Sequence, residues 1–395
     1  MGKRTSLFLL LIFINTYELS LEFCGADKLK IKPKPLKLNK INKMKLADST
    51  TSYSPISIGF DFSNFIKPST MSSEIFSTIK ETLFETANEF RKFLQIQHED
   101  LEFSYSKEIL EVLCYVDNVG SNYRNYLKTY DIIIFVMLDD NTLLSEYTLA
   151  AAGPCITTLE ERPRPIAGVL YINENIDFDL KNTKLYLKSV LLHEITHALM
   201  FNNDILYKLN IIETDGSVTY ITSSVVLNAV KKYFGCNSIS RFPLENQGGS
   251  GSAGSHWEAR YMLGDYMNAH DYLGAVMSDI TLALFEATGY YKTKPYSGGL
   301  FKFGKNAGCD FFNKTCIEED KPITSDFCDI PDGPMCTSSR NIKAECYIND
   351  REYWNSTARV QYFKNHPYWE GFPYAAYCPV AFPSHSYTDY LDKLL

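Results

Sequence analysis

Residues 191–200 read Leu-Leu-His-Glu-Ile-Thr-His-Ala-Leu-Met, and this segment restricts the chain more than any other. Val190, Leu191, Leu192, Ile195, Ala198 and Leu199 surround two imidazoles and a carboxylate. The spacing predicts a helix over about 182–200 that packs into a core, where polar groups need partners. His193 and His197 stand one turn apart on one helix face, so both rings can reach a single metal ion with little strain. Glu194, beside the first ring, is placed to take a proton from a water at that ion. Zn²⁺ suits the donor set, because it lowers the pKa of water towards neutrality and polarises carbonyls. The plainer reading is a buried helix with two hydrogen-bonded core histidines. The chain has seven histidines, and by chance the pattern turns up in roughly one protein in a hundred.

Two helical imidazoles leave a metal short of ligands, so a third donor must come from elsewhere. The remaining histidines are His98, His256, His270, His366 and His385. His256 ends the run Glu245-Asn-Gln-Gly-Gly-Ser-Gly-Ser-Ala-Gly-Ser-His256. Such a stretch can bend tightly and return a side chain to the helix. The alternative is a flexible linker carrying an exposed histidine.

Around this centre the pattern is mixed. Pro55 to Phe62 alternates as a first strand would, and Ser72 to Gln95 carries Ile75, Ile79, Leu83, Ala87, Phe90 and Leu94 at helical spacing. Asp131 to Leu138 and Ile166 to Ile172 are continuous apolar runs, which suit strands buried on both faces, and Asn173 to Asp179 makes the exit loop. A further helix is expected over Ala275 to Thr288, stopped by Gly289. Helix, strands, helix, long excursion and helix, followed by a cysteine-rich tail, predict an α+β unit with a separate C-terminal lobe.

The ends and the cysteines point to export. Lys3, Arg4 and the apolar run Leu7–Ile14 read as a secretory signal too short to span a bilayer, and no later run approaches ~20 apolar residues. Lys28 to Lys45 is Lys-rich and poor in core residues, and reads as a linker or short pro-piece outside the folded body. Six of ten cysteines follow residue 308, without paired C-x2-C units, so disulfides are favoured over metal-thiolate sites. Asn313-Lys-Thr and Asn355-Ser-Thr are glycosylation sequons. A net charge of -8 argues against nucleic acid as a partner. No apolar tail precedes Leu395, so neither a lipid-anchor signal nor other membrane association is expected.

HEITHAL, then LENQGGSGSAGSHWEAR, then Asp265-Tyr-Met267 and a helix ending in ATGYY, together resemble the leishmanolysin family of metzincin zinc metallopeptidases. Pro154-Cys155, Arg162-Pro-Arg-Pro-Ile-Ala-Gly-Val, Tyr233-Phe-Gly-Cys236, Asn306-Ala-Gly-Cys309-Asp and Tyr377-Cys378-Pro extend the likeness from about Pro55 to Val380. The resemblance implies a metzincin-like catalytic unit with a twisted mixed sheet, a backing helix and an active-site helix, plus a disulfide-rich C-terminal lobe. It implies Zn²⁺ held by His193, His197 and His256, Glu194 as catalytic base, Met267 as the Met-turn methionine, and protein or peptide substrates cleaved internally. It also implies the disulfides Cys114–Cys155, Cys236–Cys309, Cys316–Cys378 and Cys328–Cys346, with Cys336 left over. The division expected is a signal over 1–20, a Lys-rich pro-segment or linker over 21–52, and an N-terminal catalytic subdomain over 53–200. An insertion with the third ligand and Met-turn follows over 201–295, then the cysteine-rich lobe over 296–395.

Two departures stand out. Metzincins carry Gly where this chain has Met200; a turn needing positive φ there would cost on the order of 1 kcal/mol or more. That strain is the main support for a rival reading, a metal-holding homologue without activity that serves in binding or adhesion. The N-terminal extension is also shorter than the family's usual pro-domain, and Cys24 within it is a candidate latency thiolate, although it falls in the signal-cleavage region.

Overall fold

The computed structural model describes residues 29, 31–40 and 52–383, apart from 141, 145–147, 175–179, 248–251, 271, 273, 297–298, 341 and 355–357. The signal segment, Cys24, His385, the Asn355 sequon and nearly all of the 173–179 loop lie outside the described residues.

A five-stranded mixed sheet carries the N-terminal half. Its strands are β1 (Lys34–Leu36), β2 (Ile58–Asp61), β3 (Ile132–Asp139), β4 (Ala150–Thr158) and β5 (Pro165–Asn173), in the order β1-β4-β5-β3-β2. Pairing is parallel except between β4 and β5. Helices α1 (Ser73–Phe93) and α2 (Leu180–Leu199) cover one face. Alternate residues of one strand serve two cores, because side chains in a strand point to opposite faces. Ile132, Ile134 and Val136 of β3 join Ile79, Leu83, Phe90, Leu191 and Ile195 on the helical side. Ile133, Phe135 and Met137 join Leu110, Cys114 and Leu127 on the other. Burial on both sides is why β3 and β5 are apolar up to their last residues, Asp139 and Asn173.

Strand β4, Ala-Ala-Ala-Gly-Pro-Cys-Ile-Thr-Thr, escapes sequence reading because Ala, Gly and Pro are poor strand formers. Ala150 and Ala152 face the core that holds Ala198 of α2, and Ala151 faces the other core. A Cβ on Gly168 of β5 would stand 3.0 Å from the Gly153 carbonyl oxygen and 3.1 Å from Ala198 Cβ, so helix and sheet meet too closely there for a side chain. Pro154 sits where the β4–β5 register shifts, a place where its missing N–H costs no ladder bond.

Other boundaries move. Residues 55–62 split: Tyr53–Pro55 pairs with Leu94–Gln97, and only Ile58–Asp61 enters the main sheet. Part of the Lys-rich segment expected outside the folded body is β1, with Leu36 buried and the edge of β4 taken at Ile156–Thr158. Its main-chain groups pair whatever its side-chain charge. Beyond α2 lies α3 (Ser224–Phe234), ended by Gly235 at φ 72°, then α4 (Asp279–Ala287). Helix α4 starts four residues later than expected, because the Ser278 hydroxyl caps Thr281 N–H at 3.1 Å.

The tail is short strands and turns joined by disulfides. Cys114–Cys155, Cys236–Cys309, Cys316–Cys378 and Cys328–Cys346 are bonded, as the resemblance implies, and Cys336 is an exposed free thiol. Among the described residues no helix is long and apolar enough to cross a membrane.

Candidate metal centre

His193 and His197 project from α2 and His256 from the end of the Gly/Ser loop, and all three are buried. Their Nε2 atoms form a small triangle: 3.0 Å between His193 and His197, and 3.2 Å from each to His256. Each Nδ1 faces a main-chain carbonyl: Tyr266 O at 2.6 Å for His193, Phe201 O at 2.7 Å for His197 and Ser252 O at 2.9 Å for His256. A carbonyl only accepts, so each Nδ1 carries the proton and each Nε2 turns its lone pair inward. Burial pushes all three below the usual histidine range, His197 to about 4 and the others well below it. They are therefore neutral at neutral pH. Three neutral rings with converging lone pairs repel one another unless a cation stands between them. Four-coordinate zinc, with Zn–N near 2.0–2.1 Å, sets its nitrogens roughly 3.3 Å apart, so the donor set fits that ion.

Glu194 is fully buried beside these rings, and its Oε2 accepts the Ala152 N–H of β4 at 2.8 Å. The small-residue strand thus orients the carboxylate as well as seating the helix. Beyond His197 the chain leaves α2 without left-handed backbone: Met200 and Phe201 both donate N–H to Thr196 O, at 2.9 and 3.0 Å, and Met200 is not among the positive-φ residues. The strain anticipated at Met200 is absent. The chain leaves the helix through a widened last turn, in which Phe201 N–H reaches back five residues to Thr196 O, and Met200 keeps a backbone that any L-residue adopts.

Hydrogen bonds hold the loop bearing His256. Glu245 N–H donates to His256 O at 2.9 Å and Gly254 N–H to Glu245 O at 2.8 Å, so the two ends of the run are held together. The Glu245 carboxylate accepts from Asn246 and Gln247 N–H at 3.0 and 2.7 Å. Burial, with Glu258 nearby, raises this carboxyl well above its usual range. Tyr266 grips α2 twice, through its carbonyl on His193 and through its hydroxyl, 2.7 Å from Thr196 Oγ1. Met267 follows, fully buried, its carbonyl taking Trp257 N–H at 3.0 Å.

Among the described residues the other histidines stay apart from the centre. His98 pairs with Asp131, His270 is enclosed by Phe372, Tyr374 and Phe382, and His366 stacks on Trp369. Sequence reasoning missed Ala152, Glu245 and Tyr266. Glu245 left a faint signal as a carboxylate opening a Gly-rich run, but main-chain donors and acceptors such as Ala152 N–H and Tyr266 O leave none.

Two imidazoles and a carboxylate on one helix of an α+β fold, met by a third imidazole from a loop, define the HExxH class of metal-site proteins. Within that class the chain belongs to the leishmanolysin family, a family of zinc metalloendopeptidases, whose profile matches residues 95–389. The leishmanolysin of Leishmania tropica is 30% identical over 207 residues, covering 48% of this chain and 30% of that protein. That of Leishmania major is 28% identical over 265 residues, 63% of this chain and 42% of that protein. A leishmanolysin-like peptidase of Drosophila melanogaster is 31% identical over 138 residues, 32% and 20% of the respective chains. The chain spans less than half the length of these curated relatives.

Proposed function

We propose that this chain is an exported zinc-dependent endopeptidase that hydrolyses internal peptide bonds of proteins. One observation carries the reading: three buried, neutral imidazoles turn their lone pairs on one point, with Glu194 alongside. His193, His197 and His256 would hold the ion, and Met267 would form part of the apolar floor beneath it. Zinc, when bound, supplies Lewis acidity at the scissile carbonyl and makes water nucleophilic near neutral pH. Glu194 takes the proton of the attacking water and passes it to the departing amine. The Ala152 N–H keeps the carboxylate turned towards that task while its charge comes and goes.

Four disulfides support export, because such bonds persist in oxidising compartments. In this reading residues 1–20 are a signal, 21–52 a pro-segment or linker, and 53–200 with 201–295 the catalytic unit. Residues 296–395 form a stapled lobe, and Asn313, exposed at the surface, is its candidate glycosylation site. The rival reading, an inactive adhesion protein, drew on strain at Met200, and the backbone there carries none. The test is a casein digest by the purified chain, with and without a chelator. Cleavage that a chelator abolishes and zinc restores is expected; chelator-resistant cleavage, or none from zinc-loaded protein freed of residues 1–33, which keeps β1 in the sheet, would overturn the proposal.

A further inference from the structure

Asp265 is fully buried and is not part of the His–Glu cluster, yet three donors from two segments end on its carboxylate. Its Oδ1 accepts Met267 N–H at 2.9 Å, within the turn that follows. Its Oδ2 accepts Ser278 N–H at 3.0 Å and the Thr281 hydroxyl at 2.8 Å, both at the start of α4. The same Thr281 hydroxyl accepts the indole N–H of Trp257 at 2.8 Å, and Trp257 directly follows His256. Between Asp265 and Met267 lies Tyr266, whose carbonyl takes the His193 Nδ1 proton. Asp265 therefore stands one residue from the group that orients His193, and one hydroxyl away from the residue next to His256.

We propose that Asp265 is a positioning residue that sets two of the three metal ligands, one from the helix and one from the loop, in a common frame. The chemistry requires a carboxylate. Three donors converge on two oxygens, and an amide in its place would turn an NH₂ towards at least one of them. A ligand pair whose outer partners are fixed by one anchor loses alignment when that anchor turns. Disturbing such outer partners typically weakens metal binding by about 10–100-fold. The inference rests on the metal reading above.

The test compares the full-length chain with Asp265→Asn, measuring zinc affinity by competition with a chromophoric chelator and the visible spectrum of the cobalt-substituted protein. The thermal midpoint of the metal-free protein is the control. A loss of zinc affinity of tenfold or more, with an altered cobalt spectrum and a nearly unchanged metal-free midpoint, is expected. Unchanged affinity and spectrum would overturn the proposal. So would an affinity loss matched by an equal loss of metal-free stability, because that marks a merely structural role. If Asp265→Asn does not fold, Thr281→Val removes the hydroxyl that joins Asp265 to Trp257 while leaving the Met267 and Ser278 N–H bonds to the carboxylate, and the same measurements decide, with a smaller loss expected and none refuting. A wild-type chain that takes up no zinc would instead bring down the metal reading, and this inference with it.

Discussion

The helical histidines and the loop histidine reach the same point by opposite routes. His193 and His197 are placed by the helical repeat, and the sheet beneath α2 only has to let the helix come close. His256 is placed by main-chain bonds from Glu245, a carbonyl from Ser252 and the frame around Trp257, with almost no regular structure. The lesson is that a metal centre can be half preformed. The helical half depends on local geometry and small residues, whereas the loop half depends on hydrogen bonds between distant segments.

The sharpest separation of chemistry from metal holding is Glu194→Gln. Proteolysis is expected to fall about 10²–10⁴-fold with zinc content unchanged, because the amide cannot accept the proton. Full activity in that variant would remove Glu194 from its role.

Acid should strike both halves together. Burial lowers the pKa of His197 in the metal-free fold to about 4 from an ordinary 6.5, so between these values the unfolded chain holds the extra proton. Stability is then fully present above pH ~6.5 and is lost as pH falls towards 4, by about 3 kcal/mol from this residue. Thermal midpoints of the metal-free protein across that range would show it. A flat profile would contradict the buried, neutral triad.

Two substitutions break one half each. Gly168→Val forces a side chain between β5 and α2, where even a Cβ is crowded, and should destabilise the fold by about 1–3 kcal/mol in denaturant unfolding. Glu245→Ala strands the Asn246 and Gln247 N–H groups, at a cost of about 1–3 kcal/mol, confined to the loop. Hydrogen exchange would locate it: opening limited to residues 245–256 fits, whereas opening of α2 would show the halves are not independent. The smallest effect is expected at Cys336→Ser, an exposed free thiol, where stability should change by less than about 0.5 kcal/mol. A larger loss would mean the thiol has a partner.

Both long N-terminal helices and strands β3 and β5 were legible, because their periodicities are local and long. Strand β4 was not, since Ala, Gly and Pro are poor strand formers and its pairing is set by the distant strands β1 and β5. The start of α4 was misjudged by four residues, because Ser278 caps more strongly than apolar spacing extends. At the centre, side chains announced themselves: His193, Glu194 and His197 by their spacing, His256 by its Gly/Ser approach. Ala152, Glu245, Tyr266 and Asp265 did not, because what they give is a main-chain group or a buried acceptor.

From sequence alone came the type of centre: two imidazoles one turn apart with a carboxylate between them, a geometry that 3.6 residues per turn imposes on any helix. Tertiary structure decided that Met200 sits without strain, that a Lys-rich segment closes a sheet edge, and which carbonyl orients each ring. Those outcomes depend on contacts between residues far apart in the chain. No local pattern encodes the distance at which two main chains come to rest.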